Sequence, residues 1–225
     1  DLLLDNGLPI TVCDMRGEDA LADEAENLST RGAELRLGAG YLDGLNGFDV
    51  IFRTPGLLPI DRHLAEAAAH GAVVTSEMEA FFKLCPCRTI GITGSDGKTT
   101  TSSIIAELLR AAGHRVHLGG NIGKPLLCEI PDFSPEDVAV LELSSFQLHS
   151  ANIRPDVAVI TNVSPNHLDK HPTYEDYIEA KRRIFLNQRK EDVLVVNLDN
   201  GITARFGEKA GSRVLYFSHR ETVQN

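Results

Sequence analysis

Short apolar runs rich in β-branched residues alternate with helical stretches along almost the whole of this 225-residue chain. Such alternation is typical of βαβ units, in which a helix connects two parallel strands. It predicts an α/β fold with a mainly parallel sheet. The predicted strands lie at residues 10–14, 34–37, 49–53, 72–75, 89–93, 115–118, 138–143, 157–161, 193–196 and 213–217. The clearest predicted helices lie at 59–70, 98–112 and 174–187.

A domain boundary is predicted near residue 87, where a helical stretch ends around Pro86 and a new strand begins. Residues 1–87 then form a Rossmann-like domain, and residues 88–225 form a second α/β domain. No glycine-rich turn follows the first predicted strand. We therefore expect residues 1–87 to be the remainder of a doubly wound domain whose opening strand and turn are missing.

The composition excludes several classes of protein. Acidic residues outnumber basic ones by 32 to 22, giving a net charge of −10, whereas nucleic-acid binding requires a basic face. The sequence contains no run of about 18 apolar residues, so no membrane-spanning helix is predicted. The cysteines form one close pair and no zinc-binding spacing, so free thiols in the cytosol are expected at Cys13, Cys85, Cys87 and Cys128.

A glycine-rich loop, GSDGKTT at 94–100, follows an apolar strand and precedes a helix. Such a loop directs backbone N–H groups at phosphates, Lys98 adds a cation, and the Thr99 hydroxyl can hold Mg²⁺. The strict G-x4-GK[ST] spacing fails because position 92 is Ile, which disfavours a plain P-loop kinase or GTPase. Periodicity predicts that one face of the following helix carries Ile104, Ile105, Leu108, Leu109 and Ala112.

Two polar residues lie near the ends of predicted strands, where open α/β sheets bind ligands. Glu142 interrupts the apolar strand 138–143. A lone buried carboxylate costs several kcal/mol unless it is paired or bound to metal, so an ion pair or a metal is expected there. His167 follows the strand 157–161 within NVSPNHLD, and the pattern leaves structural and catalytic roles equally open.

Lys181 lies in the middle of the apolar stripe of the helix 174–187, which Tyr174, Tyr177, Ile178, Ile184 and Phe185 form. A lysine in that position must either extend its amine to water or serve a function in which its charge is neutralised. Periodicity alone favours the first alternative. Two further segments, Thr54-Pro55-Gly56 and GGNIG at 119–123, are either tight turns or ligand-binding loops.

Five segments in order, GSDGKTT, GGNIG, LELSSFQL, NVSPNHLD and a Y-x-x-A-K helix, resemble the ATP-dependent Mur ligases of bacterial cell-wall synthesis. Within that family, LELSSFQL and the turn at 54–56 are most similar to the branch that adds D-glutamate to UDP-N-acetylmuramoyl-L-alanine. The resemblance covers nearly the whole chain. It implies a cytoplasmic, monomeric enzyme with a UDP-substrate domain at 1–87 and a central ATP-binding domain at 88–225.

The resemblance also implies a set of functional residues. One Mg²⁺ lies near Thr99 and Glu142, and a second is held by His167 and by Lys181, which CO2 carbamylates in this family. The γ-phosphoryl group passes to the substrate carboxylate, and the amine of D-glutamate attacks the resulting acyl phosphate. The implied catalytic residues are Lys98, Glu142, His167 and Lys181. The implied ATP site comprises Gly94, Ser95, Asp96, Gly97, Lys98, Thr99 and Thr100.

The same resemblance places the nucleotide sugar between the first two domains. Its uridine end is expected at Asp14, Arg16, Thr54, Pro55 and Gly56, and its diphosphate and muramoyl end at Asn121, Ser144, Gln147 and His167. Asp96 stands where the family usually has Asn, which adds a negative charge near the triphosphate. The chain stops at Asn225, before the C-terminal domain that holds the incoming amino acid. A fragment of this kind is not expected to complete the ligation alone.

Two alternatives remain open on the sequence. Another Mur ligase or a folate polyglutamate ligase shares the loop and the lysine, although the folate enzymes lack LELSSFQL. A nucleotide-binding paralogue without ligase activity is the second alternative. The simultaneous presence of Lys98, Glu142, His167 and Lys181 disfavours it, since such a protein loses these residues most easily.

Overall fold

The computed structural model describes residues 2–58, 60–149, 151–167 and 169–223, and it confirms the predicted α/β class. A strand is present at each of the ten predicted positions, with ends that differ by at most two residues from the prediction. The strands are β1 Thr11–Asp14, β2 Glu34–Leu37, β3 Val50–Phe52, β4 Val73–Thr75, β5 Arg88–Thr93, β6 Val116–Gly120, β7 Val138–Glu142, β8 Val157–Ile160, β9 Val193–Asn197 and β10 Arg213–Phe217.

Helices connect most of these strands. The α-helices are α1 Leu2–Asp5, α2 Ala22–Thr30, α3 Arg62–Ala69, α4 Glu77–Leu84, α5 Lys98–Ala111, α6 Ser145–Leu148, α7 Tyr174–Arg182 and α8 Gly201–Lys209. Three 3₁₀ segments lie at Glu18–Ala20, Leu45–Gly47 and Leu126–Asp132. The predicted helix 174–187 thus ends at Arg182, and Pro59, the predicted start of another helix, lies outside the described residues. No described helix combines the length and apolar character needed to cross a membrane.

The chain divides into two compact units. The first comprises residues 1–51 and 59–74. In it β1 and β2 pair in parallel, with Thr11 opposite Glu34 and Asp14 opposite Leu37. Its buried residues include Leu21, Ala25, Leu45, Leu64 and Ala67. Strands β3 and β4 form a separate two-stranded sheet. The domain boundary near residue 87 stays a prediction.

The second unit, residues 52–58 and 75–225, contains a six-stranded sheet with the order β10-β9-β8-β5-β7-β6. The five pairings between its neighbouring strands are all parallel. Because side chains alternate between the faces of a strand, β7 sends Ala139 and Leu141 into one core and Val138 and Val140 into another. The second core lies beneath α5. Glu142 is two residues after Val140 and therefore lies on the same face of the sheet, which is the face that α5 covers.

The rotation of α5 differs from the prediction. Ile105 and Leu109 pack against the core beneath the helix, together with Ala106. Ile104 and Leu108 are instead 54% and 65% exposed, and Ala112 is also exposed, so the prediction of one shared face was wrong. At 100° per residue, positions 104 and 108 form a neighbouring stripe that turns away from the sheet.

Strand order brings the carboxyl ends of β8, β5 and β7 side by side. The chain moves from β5 outwards to β6, returns through β7 and then crosses to β8 on the other side of β5. Such a reversal creates a crevice at the carboxyl ends of the strands, which is the usual ligand position in open α/β sheets. The loops after these three strands carry most of the candidate residues.

Candidate functional site

The glycine-rich loop has a backbone shape that requires glycine at two points. Gly94 has φ +155°, and a Cβ there would collide with the Thr161 hydroxyl. Gly97 has φ +78° and precedes the first residue of α5. The first N–H groups of a helix lack partners within it, so the start of α5 can donate to an anion. The loop therefore has the form of a phosphate-binding turn.

Contacts to the segment after β8 hold the loop in place. The Ser95 hydroxyl donates to the carbonyl of Ser164 and accepts from its N–H, at 2.9 Å in both cases. Asp96 N donates to Asn162 Oδ1 at 3.1 Å, and the Asn162 amide donates back to the Asp96 carbonyl at 3.0 Å. These reciprocal hydrogen bonds preorganise the loop without a ligand.

Two lysines from distant positions donate to one carbonyl of this loop. Lys98 Nζ lies 3.0 Å from the Gly94 oxygen and 3.1 Å from the Ser95 oxygen. Lys181 Nζ, from α7, lies 2.7 Å from the Gly94 oxygen and 4.5 Å from the centre of the Tyr177 ring. The structure thus brings together the two lysines that sequence patterns indicated separately.

Lys181 is a buried amine, with an exposure of 1%. The alternative that periodicity favoured, an amine extended to water, is therefore wrong. Burial, and to a smaller extent the Lys98 charge, lower the pKa of Lys181 to about 7, while the Asp96 charge acts in the opposite direction. A substantial fraction of this amine is thus uncharged near neutral pH.

Glu142 is the last residue of β7 and is 2% exposed. Its Oε2 accepts a hydrogen bond from the Thr99 hydroxyl at 2.7 Å, and its Oε1 accepts one from the Asn121 amide at 3.0 Å. No ion pair among the described residues involves Glu142, so the predicted alternative of an ion pair is absent from that part of the chain. The two hydrogen-bond donors to this buried carboxylate are neutral, so a metal ion could supply the cationic partner that they do not.

His167 is the one non-glycine residue with positive φ, +53°, in the described part of the chain. Its side chain is exposed, and its ring makes an edge contact with Phe146 at 5.5 Å. No hydrogen bond between described residues joins His167 to Lys181. The strained backbone at an exposed site is typical of functional loops, and the role of His167 as a ligand stays a prediction.

Ser144 and Gln147 form hydrogen bonds with each other at the start of α6. The Ser144 hydroxyl accepts from Gln147 N at 3.2 Å, and Gln147 Oε1 accepts from Ser144 N at 2.9 Å, which is a capping box. Part of the LELSSFQL pattern therefore has a local structural reason.

A cavity of about 230 Å³ brings Gln147 together with the predicted substrate residues Thr54 and Pro55. Its lining consists of Phe52, Arg53, Thr54, Pro55, Ser76, Glu77, Met78 and Gln147. Gly56 follows directly but does not line it. The cavity lies wholly within the second unit and combines apolar walls with an arginine and a carboxylate.

Asp14 and Arg16 belong to the first unit and form a fork with each other. Arg16 Nη2 lies 2.8 Å from Asp14 Oδ2, and Arg16 Nε lies 3.1 Å from Asp14 Oδ1. Hydrogen bonding from Arg16 lowers the pKa of Asp14 to about 2. The guanidinium is 58% exposed, so its pair with Asp14 is accessible to a ligand.

Sequence reasoning missed two residues of this region. Tyr177 was assigned to an apolar stripe, yet its hydroxyl lies 2.9 Å from Ser95 Oγ and its ring lies against the Lys181 amine. Arg53 is 5% exposed and donates to the carbonyls of Leu57 and His149. A charged residue at the end of an apolar strand, directly before Thr54, was the available signal for Arg53.

Comparison with known proteins decides the family. The model of the Mur ligase middle domain matches residues 92–225, which is more than half of the chain and includes the loop, both lysines, Glu142 and His167. The chain belongs to the Mur ligase family. The resemblance stated from five sequence segments is therefore confirmed.

Two curated Mur ligases are similar along almost the entire chain. The UDP-N-acetylmuramoylalanine–D-glutamate ligase of Ruminiclostridium cellulolyticum is 48% identical over 221 residues, covering 98% of this chain and 48% of the relative. The ligase of the same name from Acetivibrio thermocellus is 48% identical over 218 residues, covering 97% and 47%. The chain thus spans about half the length of the curated relatives it matches.

Solved structures agree on the Mur ligase fold. The UDP-N-acetylmuramate:L-alanyl-gamma-D-glutamyl-meso-diaminopimelate ligase from Neisseria meningitides superposes with a TM-score of 0.59. The match covers 96% of this chain and 72% of that one at 18% identity. At this identity the similarity establishes the architecture alone.

Proposed function

We propose that this chain is the nucleotide- and sugar-binding part of a cytoplasmic ATP-dependent ligase that adds D-glutamate to UDP-N-acetylmuramoyl-L-alanine during peptidoglycan precursor synthesis. Two D-glutamate ligases at 48% identity support the reaction. The observation that carries the proposal is the convergence of Lys98 and Lys181 on Gly94, beside the contact between Thr99 and Glu142.

The phosphate loop supplies positioning and charge for phosphoryl transfer. The bond between the γ-phosphorus and its bridging oxygen breaks, the substrate carboxylate gains the phosphoryl group, and ADP leaves. The amine of D-glutamate then attacks the acyl carbon, inorganic phosphate leaves, and the nitrogen loses a proton. Lys98, whose amine donates to two loop carbonyls, is proposed to turn to the phosphates and neutralise the charge that moves between their oxygens.

The residues present suit a Mg²⁺ ion at one position. Thr99 and Glu142 offer the oxygen ligands that Mg²⁺ prefers, and the buried Glu142 carboxylate has no cationic partner among the described residues. When bound there, Mg²⁺ would neutralise phosphate charge during transfer. Asn121, which donates to the other Glu142 oxygen, keeps the carboxylate oriented.

We further propose that CO2 carbamylates Lys181. An uncharged amine is the form that adds to CO2, and the lowered pKa of about 7 keeps this amine partly uncharged at neutral pH. The ammonium first loses one proton to give the amine. The amine nitrogen then attacks the carbon of CO2 and releases a second proton, so a cationic ammonium is replaced by an anionic carbamate. As an ammonium Lys181 does not suit a cation site, whereas the carbamate would suit one with His167.

Part of the sugar nucleotide is proposed to enter the cavity lined by Thr54, Pro55 and Gln147. Arg53 adds a buried cation in that wall, where an anionic diphosphate or carboxylate would compensate for its desolvation, which lowers the pKa of Arg53. Asn121 and Ser144 are proposed contacts of the muramoyl end. Asp14 and Arg16 are proposed contacts of the uridine end.

Phosphate release by the full-length product of the gene that encodes this chain tests the proposal. The assay contains Mg·ATP and UDP-N-acetylmuramoyl-L-alanine, and it compares D-glutamate with L-lysine, meso-diaminopimelate and a folate plus L-glutamate. We expect release only with the sugar nucleotide and D-glutamate together. Release with another amino acid would overturn the D-glutamate assignment, and no release with any pair would overturn the ligase.

A further inference from the structure

Three ligand-type side chains that have no role in the proposed ligase site converge in the second unit. His149 Nε2 lies 3.0 Å from Asp176 Oδ1, and His171 Nδ1 lies 2.7 Å from Asp176 Oδ2. One nitrogen from each histidine and a carboxylate oxygen all lie within 4.8 Å of one another. We propose that His149, His171 and Asp176 form a binding site for one Zn²⁺ ion, separate from the proposed Mg²⁺ ligands.

The three residues come from different segments. His149 directly follows the short helix α6 as its C-cap, and His171 lies in the loop before α7. Asp176 is in the first turn of α7, where the Thr173 hydroxyl accepts from its N–H at 3.1 Å. The position of Asp176 has an ordinary structural explanation, since an acidic residue in the first turn stabilises the N-terminus of a helix. That reason does not account for two imidazoles directed at the same carboxylate.

The donor set suits zinc better than magnesium. Two imidazole nitrogens and one carboxylate are a common zinc set that leaves a fourth position open, whereas Mg²⁺ prefers oxygen ligands. Tetrahedral zinc with bonds of about 2.0–2.2 Å holds its donor atoms about 3.3 Å apart. His149 Nε2 and His171 Nδ1 lie 3.0 and 2.7 Å from the Asp176 oxygens, so each separation needs to widen by about 0.3–0.6 Å to reach that spacing. The ligand atoms lie within 4.8 Å of one another, so a small rotation of the His149 side chain would also be needed to bring both nitrogens onto one ion.

His171 is held in a ligand orientation by its surroundings. It is 3% exposed, its ring stacks on Phe146 at 5.0 Å, and it makes an edge contact with Tyr177 at 5.2 Å. Its Nε2 lies 2.9 Å from the Ser145 hydroxyl, so its Nδ1 faces the cluster. A hydrogen bond on the second nitrogen is the usual support of a metal-binding histidine.

His149 has weaker support. Its Nδ1 is buried and has no hydrogen-bond partner among the residues that the structure describes. Loss of such outer support typically weakens metal affinity by about 10–100-fold. The side chains of His149 and Asp176 are 19% and 29% exposed, so water can reach the fourth position. We therefore expect reversible binding with a micromolar dissociation constant rather than a permanent structural zinc.

The hydrogen-bond order of Ser145, His171 and Asp176 also matches that of a serine-hydrolase triad. Ser145 is 3% exposed and lies within the core, so no substrate carbonyl can approach its hydroxyl. The accessible edge of the cluster is instead the one formed by His149 and Asp176. Access therefore favours a small cation over a hydrolase substrate.

Zinc titration of the metal-stripped chain tests the site. Excess Mg²⁺ is present throughout, so that oxygen-rich sites are blocked, and binding is measured by isothermal titration calorimetry. We expect one equivalent of Zn²⁺ to bind and to raise the melting temperature, since a ligand that binds the folded state stabilises it. Co²⁺ in place of Zn²⁺ is expected to give the visible absorption of a tetrahedral site. Absence of binding under these conditions would overturn the proposal.

Matched variants locate the bound ion. We expect His149→Gln and Asp176→Asn each to weaken Zn²⁺ binding by at least about 10-fold. The exposed His114→Gln is the control and should bind as wild type. The thiols of Cys85 and Cys87 are 3.5 Å apart and could capture zinc instead. Binding that is lost in Cys85→Ser but kept in His149→Gln would therefore overturn the proposal, with folding of each variant checked by circular dichroism.

Discussion

The carbonyl of Gly94 accepts hydrogen bonds from both Lys98 and Lys181, and these two lysines differ in exposure. Lys98 lies at the start of α5, is partly exposed and can turn towards a phosphate. Lys181 is buried at 1% exposure and cannot leave its position without disturbing α7. We therefore propose that the partly exposed Lys98 binds the ATP phosphates. The buried Lys181 is better suited to carry a modification or to bind an internal ligand.

Lys98→Met should reduce ATP affinity by at least about 10-fold, because the loop then lacks its mobile cation and one charge-assisted hydrogen bond is worth roughly 1.5–3 kcal/mol. The measurement is calorimetric titration of this chain with Mg·ATP. Lys124→Met, which removes an exposed lysine, is the control and should leave affinity unchanged. Equal affinities for both variants would contradict the assignment of the phosphate loop.

Lys181 should make stability depend on pH. Its pKa is about 7 in the folded state against 10.5 as a free side chain, so the unfolded chain binds more protons between these values. The free energy of unfolding should therefore gain a contribution that rises with pH from about 7 to 10.5, by at most about 1.4 kcal/mol per pH unit. Below pH 7 the full penalty of the buried charge remains.

Urea denaturation at several pH values in CO2-free buffer measures this contribution. Subtracting the curve of Lys181→Met from that of wild type isolates Lys181 from other titrating groups, such as the Cys87 thiol, whose pKa burial raises to about 12. We expect the difference to rise with pH across the stated window. A flat difference would show that the amine keeps an ordinary pKa.

At the scale of secondary structure, the turn from β5 to α5 is the most constrained element of the site. Gly94 needs both a positive φ and the absence of a Cβ, whereas Gly97 needs the positive φ alone, since nothing lies near its Cβ position. Gly97→Ala should thus cost about 1–3 kcal/mol of backbone strain. Gly94→Ala adds a collision with Thr161 and should cost clearly more.

Chemical denaturation of the two alanine variants checks this order. Gly17→Ala is a control at a glycine with negative φ and open space, and it should be nearly neutral. A Gly94→Ala variant no less stable than Gly97→Ala would mean that the segment after β8 moves aside easily. In that case the hydrogen bonds of Ser95 and Asn162 would not preorganise the loop.

Much of the fold was predictable from periodicity. The ten strands and the position of Glu142 follow from short-range patterns, since burial on both faces of a central parallel strand leaves a continuous apolar run. The rotation of α5 was not predictable, because Ile104, Ile105, Leu108 and Leu109 offer two adjacent apolar stripes. Only the contact with β5 and β7 selects the stripe of Ile105 and Leu109.

The sequence predicted which residues belong to the candidate site, but it did not predict the hydrogen bonds that connect them. Sequence placed Lys181 on an apolar stripe, yet only tertiary structure shows that its amine meets the Gly94 carbonyl 87 positions away. Tyr177 and the cluster of His149, His171 and Asp176 escaped notice for the same reason. Their chemistry depends on segments that are separated in the sequence and meet through strand order.

For the whole molecule, the division into two units predicts which backbone amides a bound nucleotide protects from hydrogen exchange. The glycine loop, Glu142 and Lys181 all belong to the second unit, and the pair β1–β2 belongs to the first. Amide hydrogen exchange of this chain with and without saturating Mg·ATP measures the effect in both units at once. Protection is expected where the ligand's phosphates meet backbone N–H groups, at residues 94–100.

The same experiment should show smaller protection at 121 and 142–145, because Asn121 and Thr99 share the carboxylate of Glu142. Strands β1 and β2 should exchange as they do without nucleotide. A bound ligand stabilises the unit that holds it against local unfolding. The size of that stabilisation depends on the ratio of the ligand concentration to its dissociation constant. Protection confined to β1 and β2, or absent from 94–100, would place the nucleotide elsewhere and contradict the phosphate loop as its site.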